Sequence, residues 1–105
     1  MTQPIDPIVL RLSSIVEELG DDVAREERGA STAFSRGRLF ALLEPQSPTR
    51  LDVGLVLPDA EETERLRPAE GEPPAVTHRV SLAHEDEIDG ELTEWLRAAY
   101  DGAAT

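Results

Sequence analysis

The stretch RGRLFALLEPQSPTRLDVGLVL, Arg36 to Leu57, decides the fold. Its first half is densely apolar, with Leu39, Ala41 and Leu43 on one phase of a strand and Phe40 and Leu42 on the other. Apolar residues on both phases mark a strand inside a sheet, covered on both faces. Pro45 and Pro48 then break the run, because a proline nitrogen cannot donate to a ladder. From Arg50 the pattern alternates cleanly: Leu51, Val53, Leu55 and Leu57 share one face, and Asp52, Gly54 and Val56 the other. Two runs joined by so short a Pro/Ser connection are expected to pair antiparallel.

Upstream, Asp6 and Pro7 give a start signal for a helix over about 7–19, since Pro at the first helical position loses no hydrogen bond. Ile8, Leu12, Ile15, Val16 and Leu19 recur on one helical face, and Gly20 supplies the stop. Val23 to Glu27 reads as a short polar strand, Gly29 as an interruption, and Ser31 to Ser35 as a second strand turning at Gly37. Downstream, residues 58–74 carry six acids, two arginines and four prolines. That composition predicts a mobile, solvated loop, with at most a turn of helix at AEETERL. Val76, His78, Val80 and Leu82 alternate as another strand. Leu92, Trp95, Leu96 and Ala99 then form a helical stripe capped by Asp89 and ended by Gly102, leaving a frayed tail over 103–105.

The expected fold is one α+β domain over 1–105 in the order α-β-β-β-β-α. It is a two-layer sandwich, with an N-terminal and a C-terminal helix packed on one face of an antiparallel sheet of four to five strands. A chain of 105 residues supports one core and not two.

Composition removes several kinds of chemistry. The chain has no Cys and no Lys, which excludes disulfides, thiol catalysis, thiolate metal sites and Schiff-base lysines. Absent Lys and Asn beside abundant Arg and Ala reads as the mark of a GC-rich genome. A net charge of −12 repels nucleic acid and anionic membranes over about 8 Å at physiological salt, and suits a basic partner. The opening MTQPIDPIVL has no basic run and meets two prolines, which reads against a signal peptide. No apolar run approaches the roughly 18 residues of a membrane span. A bacterial cytoplasmic setting is the expectation.

No reactive constellation stands out. His78 and His84 lie six apart, a spacing that aims two imidazoles at one ion on neither a helix nor a strand. His78, on the apolar phase, is expected to be a partly buried, hydrogen-bonded ring. Glu85, Asp86, Glu87 and Asp89 lack the register of a calcium loop and suit the start of a helix. There is no nucleophile elbow and no phosphate loop. No cofactor or metal is expected, and no enzymatic activity. The arginines are better placed: between Val23 and Arg50 five of them meet three acids, whereas from Leu51 onward 14 acids face four. Arg36 and Arg38 flank the Gly37 turn and Arg50 opens the next strand, so their convergence would make a phosphate or carboxylate site.

The segments STAFSRGRLFALLEPQSPTRLDVGLVL and VTHRVSLAHEDEIDGELTEWLRAAYDGA resemble the bacterial domain of unknown function 5655. The shared pattern is a basic turn, a strand running into Glu-Pro, an R-L-x-L-x-L-like strand, and a last strand followed by an acidic turn and L-x-x-W-L-x-x-A-Y. Matching positions are Arg36 to Pro45, Arg50 to Leu57 and Thr77 to Tyr100. The resemblance implies a small α+β domain without an assigned activity, of a kind found at the ends of longer chains, some with nuclease-like parts. It brings no functional residue with it.

The leading expectation is a non-catalytic binding module for a protein partner or a second copy. Its surface would be the sheet face left open by the helices, edged by Arg36 and Arg38. The alternatives are a nucleic-acid accessory domain acting through Arg36, Arg38 and Arg50, and a small-ligand carrier or enzyme with a pocket near His78 and Arg79.

Overall fold

The computed structural model describes residues 6–69 and 75–103. The elements are α1 (Asp6–Glu17), β1 (Ala24–Arg28), β2 (Ser31–Ser35), β3 (Leu39–Ser47), β4 (Arg50–Leu55), β5 (Arg67–Pro68), β6 (His78–Leu82), a 3-10 turn (Glu85–Glu87) and α2 (Gly90–Gly102). The strands form one sheet in the order β1-β2-β3-β4-β6-β5, and every neighbouring pair is antiparallel. The expected α+β sandwich is present, with six strands instead of four or five.

Both helices pack on one face. α1 contributes Ile8, Leu12 and Val16, and α2 contributes Leu92, Leu96, Ala99 and Tyr100. The sheet meets them with cross-strand rows that the register sets side by side. One row runs Leu43, Val53, Val80; another joins Leu51 to Leu82. Each fully buried Leu or Val in these rows contributes about 1.5–3 kcal/mol relative to exposure. Asp89 caps α2 as expected, accepting from the Leu92 N–H at 3.0 Å. Glu87 holds the preceding turn, accepting from the N–H groups of Ala83 and His84 at 2.7 and 2.8 Å.

The alternation in β3 differs from the sequence pattern. Phe34 pairs with Ala41, but the next residue, Ser35, pairs with Leu39. Phe40 is therefore the extra residue of a β-bulge, which reverses the side-chain phase. Phe40, Ala41 and Leu43 all enter the helix-side core. Leu39 goes instead to the opposite face, beside Ala33, Leu42 and Val76. Val76 also departs from its expected phase, because β6 begins only at His78.

The acidic stretch is better anchored than its composition implies. No helical turn forms at AEETERL. Leu66 is buried in the main core, and Arg67 and Pro68 pair with Arg79 and His78 to make β5. A single large apolar side chain and two ladder positions thus hold a segment rich in repelling carboxylates. The remainder of the expected loop, 70–74, lies outside the described residues, as do 104 and 105 of the expected frayed tail. Ala103 is buried, with its N–H bonded to the Ala99 carbonyl at 3.2 Å. Among the described residues no helix is long and apolar enough to cross a membrane.

The bulge makes a direct test possible. Phe40→Ala should lower unfolding stability by about 3–5 kcal/mol, as for a fully buried aromatic. Leu39→Ala should cost well under half of that, since Leu39 is only partly buried. Urea unfolding of both variants checks the pair, and equal losses would contradict the bulge.

Candidate functional site

A concavity lies where β3 begins and α2 ends. It is a groove of about 440 Å³. Leu39 and Phe40 at the bulge form one wall, and Val56, Leu57, Pro58 and Ala60 after β4 form another. The third wall is the last two turns of α2, which present Ala98, Ala99, Gly102 and Ala103. Spacing of this kind places small residues on one helical face, and their missing bulk leaves the concavity. A Cβ built on Gly102 would meet no atom within 4 Å. Backbone bonds fix the second wall: the Val56 N–H donates to the Phe40 carbonyl and the Ala60 N–H to the Leu57 carbonyl, each at 3.1 Å. The floor is apolar, and the charged lining is Arg38 and Asp59. Among the described residues, neither a hydroxyl nor an imidazole lines the groove.

Beside it, four residues from distant parts of the chain lock α2 to the sheet. Arg36 Nε donates to Asp22 Oδ2 at 2.6 Å, and its Nη1 donates to the Tyr100 carbonyl at 3.3 Å. The same guanidinium lies 4.0 Å from the Tyr100 ring centroid, a cation–π contact. The Tyr100 hydroxyl donates to Asp22 Oδ1 at 2.6 Å, and its ring meets Phe40 edge-on at 5.7 Å. Gly20 makes room, since a Cβ there would fall 1.9 Å from the Tyr100 oxygen. The Tyr100 hydroxyl, and after it the Arg36 guanidinium, hold the Asp22 carboxyl below its ordinary range. The same hydrogen bond to Asp22, aided by burial, pushes the Tyr100 phenol up. Arg36 also sits against the carbonyl end of α2, where the helix dipole favours a cation.

A second lock holds the other end of α2. Arg65 donates to Asp89 at 2.9 Å and to Glu91 at 3.1 Å, and also to the Glu87 carbonyl. The Leu92 N–H, and next Arg65, lower the Asp89 carboxyl.

The five candidate residues from the sequence do not converge. Arg36 is committed to the Asp22–Tyr100 lock. Arg38, after the Gly37 turn at φ +78°, reaches the groove rim. Arg50 lies at the opposite end of the nine-residue β3, about 30 Å away at roughly 3.3 Å per residue. Arg79 crosses β4 to Glu44 on β3, at 3.0 and 3.2 Å. His78 faces the helices, buried, with Nδ1 2.8 Å from the Thr77 hydroxyl, as its apolar phase implied. The open sheet face is also not a free apolar strip, because Ala33, Leu42 and Val76 in its centre are already buried. Among the described residues, no group of three His, Cys, Asp or Glu could hold a metal ion. Sequence reading missed Gly20, Asp22 and Tyr100 as one unit, which their separation in the chain conceals. The one available signal for the groove was the run of small residues at 98, 99, 102 and 103.

A family model described as Domain of unknown function (DUF5655) matches residues 3–103. The chain belongs to this family. That agrees with the resemblance carried by the β3–β4 hairpin and the α2 motif. No curated protein and no solved structure matches the chain.

Both lowered carboxyls set a pH dependence. A carboxyl whose folded pKa is depressed adds stability that is fully present above its ordinary range, near pH 4, and is lost as pH falls through the folded value. Asp22→Asn should therefore flatten the loss of thermal stability between about pH 5 and pH 2.5. Asp89→Asn should do the same for the second lock. Thermal melts across that window measure it, and an acid limb as steep as wild type in both variants would refute the assignment.

Proposed function

We propose that this DUF5655 protein is a non-catalytic binding module that takes an apolar group of a protein partner into the groove between the β3 bulge and the end of α2. One observation carries this reading: a preformed concavity of about 440 Å³, apolar on its floor and charged at its rim. Pockets that hold ligands run from about 300 to 1,000 Å³ and are mostly apolar, with few polar groups for orientation. The groove has that character: among the described residues its lining is apolar apart from Arg38 and Asp59. The net charge of −12 supports a basic partner, whose encounter would be steered by long-range attraction and weakened by salt.

The nucleic-acid alternative gains less support. Arg50 lies at the far end of the sheet from Arg36 and Arg38, and Arg36 is occupied by Asp22. A pocket centred on His78 is likewise poorly supported by a ring that is 7% exposed and bonded to its neighbour.

The probe for a first test is anilinonaphthalene sulfonate, an aromatic body with one anionic group. Wild-type protein should bind it saturably, with enhanced fluorescence and an affinity of about 10–100 μM. Gly102→Trp should weaken binding at least about tenfold by filling the groove, because the site around that Cβ is open. Ala98→Trp, at an exposed helix position, is the independent second variant. Equal binding by wild type and both variants, with unchanged melting temperatures, would place the apolar site elsewhere.

A further inference from the structure

A second depression lies at the far end of the sheet, where β4 begins and β6 ends. It has an open volume of about 500 Å³ and is lined by Arg50, Glu64, Arg65, Arg67 and Ser81. Among the described residues, three guanidinium groups thus line it with one carboxylate, in a chain with 22 acids and ten arginines. The carboxylates that pair with Arg50 and Arg65, namely Asp52, Asp89 and Glu91, do not line it.

Arg67 is the decisive residue. In the β5–β6 register it stands directly opposite Arg79, and like charges in that position destabilise a sheet. Arg79 answers by reaching across β4 to Glu44. Arg67 is exposed, and no carboxylate among the described residues pairs with it. Arg50 is 59% exposed at its side chain and is held from one side: its Nη2 donates to Ser81 Oγ at 3.1 Å, and Ser81 in turn donates to Asp52 at 2.7 Å. Ser81 is consequently a positioning residue for Arg50 and not a spare donor. Arg65 is spent on the N-terminal end of α2, but its charge still contributes to the local field.

We propose that Arg67 and Arg50 bind a phosphate monoester dianion in this depression. A planar guanidinium donates two parallel hydrogen bonds to a phosphoryl group, and two such forks from different strands hold one tetrahedral anion. The anion also relieves the repulsion between Arg67 and Arg79. The charge balance selects a compact dianion over a nucleic-acid backbone. A long polyanion must lie along a surface whose total is −12, whereas a single phosphoryl group sits within reach of three guanidiniums and inside a Debye length of about 8 Å. Glu64 at the rim opposes the ligand and sets a modest affinity. The depression lies at the other end of β3 from the apolar groove, so the two sites are separable.

The test is a titration of the full chain with inorganic phosphate at pH 7.5, at constant ionic strength held by chloride, followed by 1H–15N NMR. Saturable shifts are expected at the Arg67 and Arg50 side chains and the Ser81 amide, with a Kd of about 1–10 mM. Arg67→Gln should weaken binding about tenfold or more, Glu64→Gln should tighten it, and Gly102→Trp should leave it unchanged. Glycerol 3-phosphate and a capped phosphoserine peptide distinguish a small metabolite from a modified side chain as the source, and preferential binding of either supports the assignment. No saturable shift by about 50 mM phosphate, an unchanged Kd in Arg67→Gln, or identical shifts with chloride alone would overturn it. Tighter binding of an oligothymidylate than of phosphate would also overturn it, in favour of a phosphodiester ligand.

Discussion

The contact between Phe40 and Tyr100 ties the last turns of α2 to the sheet. A strand of strict alternation would send Phe40 to the open face, away from both helices. The bulge instead turns it inward, where its ring meets Tyr100 edge-on. Tyr100 then fixes the last turns of α2 and brings its hydroxyl to Asp22. Arg36 closes the arrangement by stacking on the same ring and bonding to the helix end. The groove is a by-product of that geometry. With α2 held close by Tyr100, the small residues at 98, 99, 102 and 103 leave a space that the β3 bulge and the 56–60 segment enclose.

The surplus of carboxylates shapes the rest. Exposed ion pairs contribute little individually, about 0–1 kcal/mol, so the pairs along β1, Arg25 with Glu27 and Arg28 with Glu26, do little to stabilise the sheet. They do matter at an edge. A strand whose side chains are all charged after Ala24, and all exposed, resists pairing with another chain. The opposite edge is protected differently, by a strand of two residues that carries a proline. Where arginines hold structure, they do so through several partners at once: Arg36 and Arg65 each bind a carboxylate and a backbone carbonyl, and each lies against an aromatic ring. These two tie opposite ends of α2 to segments remote in sequence, and both are only a quarter exposed at the side chain.

Local pattern was enough for the elements whose identity depends on neighbours in the chain. The β3–β4 hairpin, the Asp89 cap and the apolar stripes of both helices follow from spacing and turn chemistry, and the structure has them. The failures arise where a non-local partner decides. Nothing within RLFALLE announces that one residue is extra, because the bulge is fixed by pairing with β2 and by the space beneath Tyr100. Likewise Leu66 lies in an acidic, proline-bearing stretch that composition assigns to solvent, yet one buried leucine and a vacant place beside β6 anchor it. For the candidate site, residue types could be named from the sequence and their relative positions could not. Arginine was singled out by its chemistry, but proximity to a turn did not tell which arginines share a surface. Arg36 and Arg50 flank consecutive hairpins, and consecutive hairpins in an antiparallel sheet lie at opposite ends.

That last geometric fact organises the molecule. The antiparallel meander β1–β4 sends successive turns to alternate ends, and the connection from β4 to β5 runs from one end to the other. One end gathers the β2–β3 turn, the segment after β4 and the terminus of α2, giving an apolar groove beside the Tyr100 lock. The other gathers the start of β4, the end of β6 and the approach to β5, giving the arginines around Ser81. The β3–β4 pair keeps these ends apart, and their linings differ: an apolar concavity at one, a cluster of guanidiniums at the other. On the two proposed readings together, a partner presenting a hydrophobic side chain and a phosphoryl group about one strand length apart would engage both ends of the same sheet. Two weak contacts then act together, because holding the first raises the effective concentration of the second.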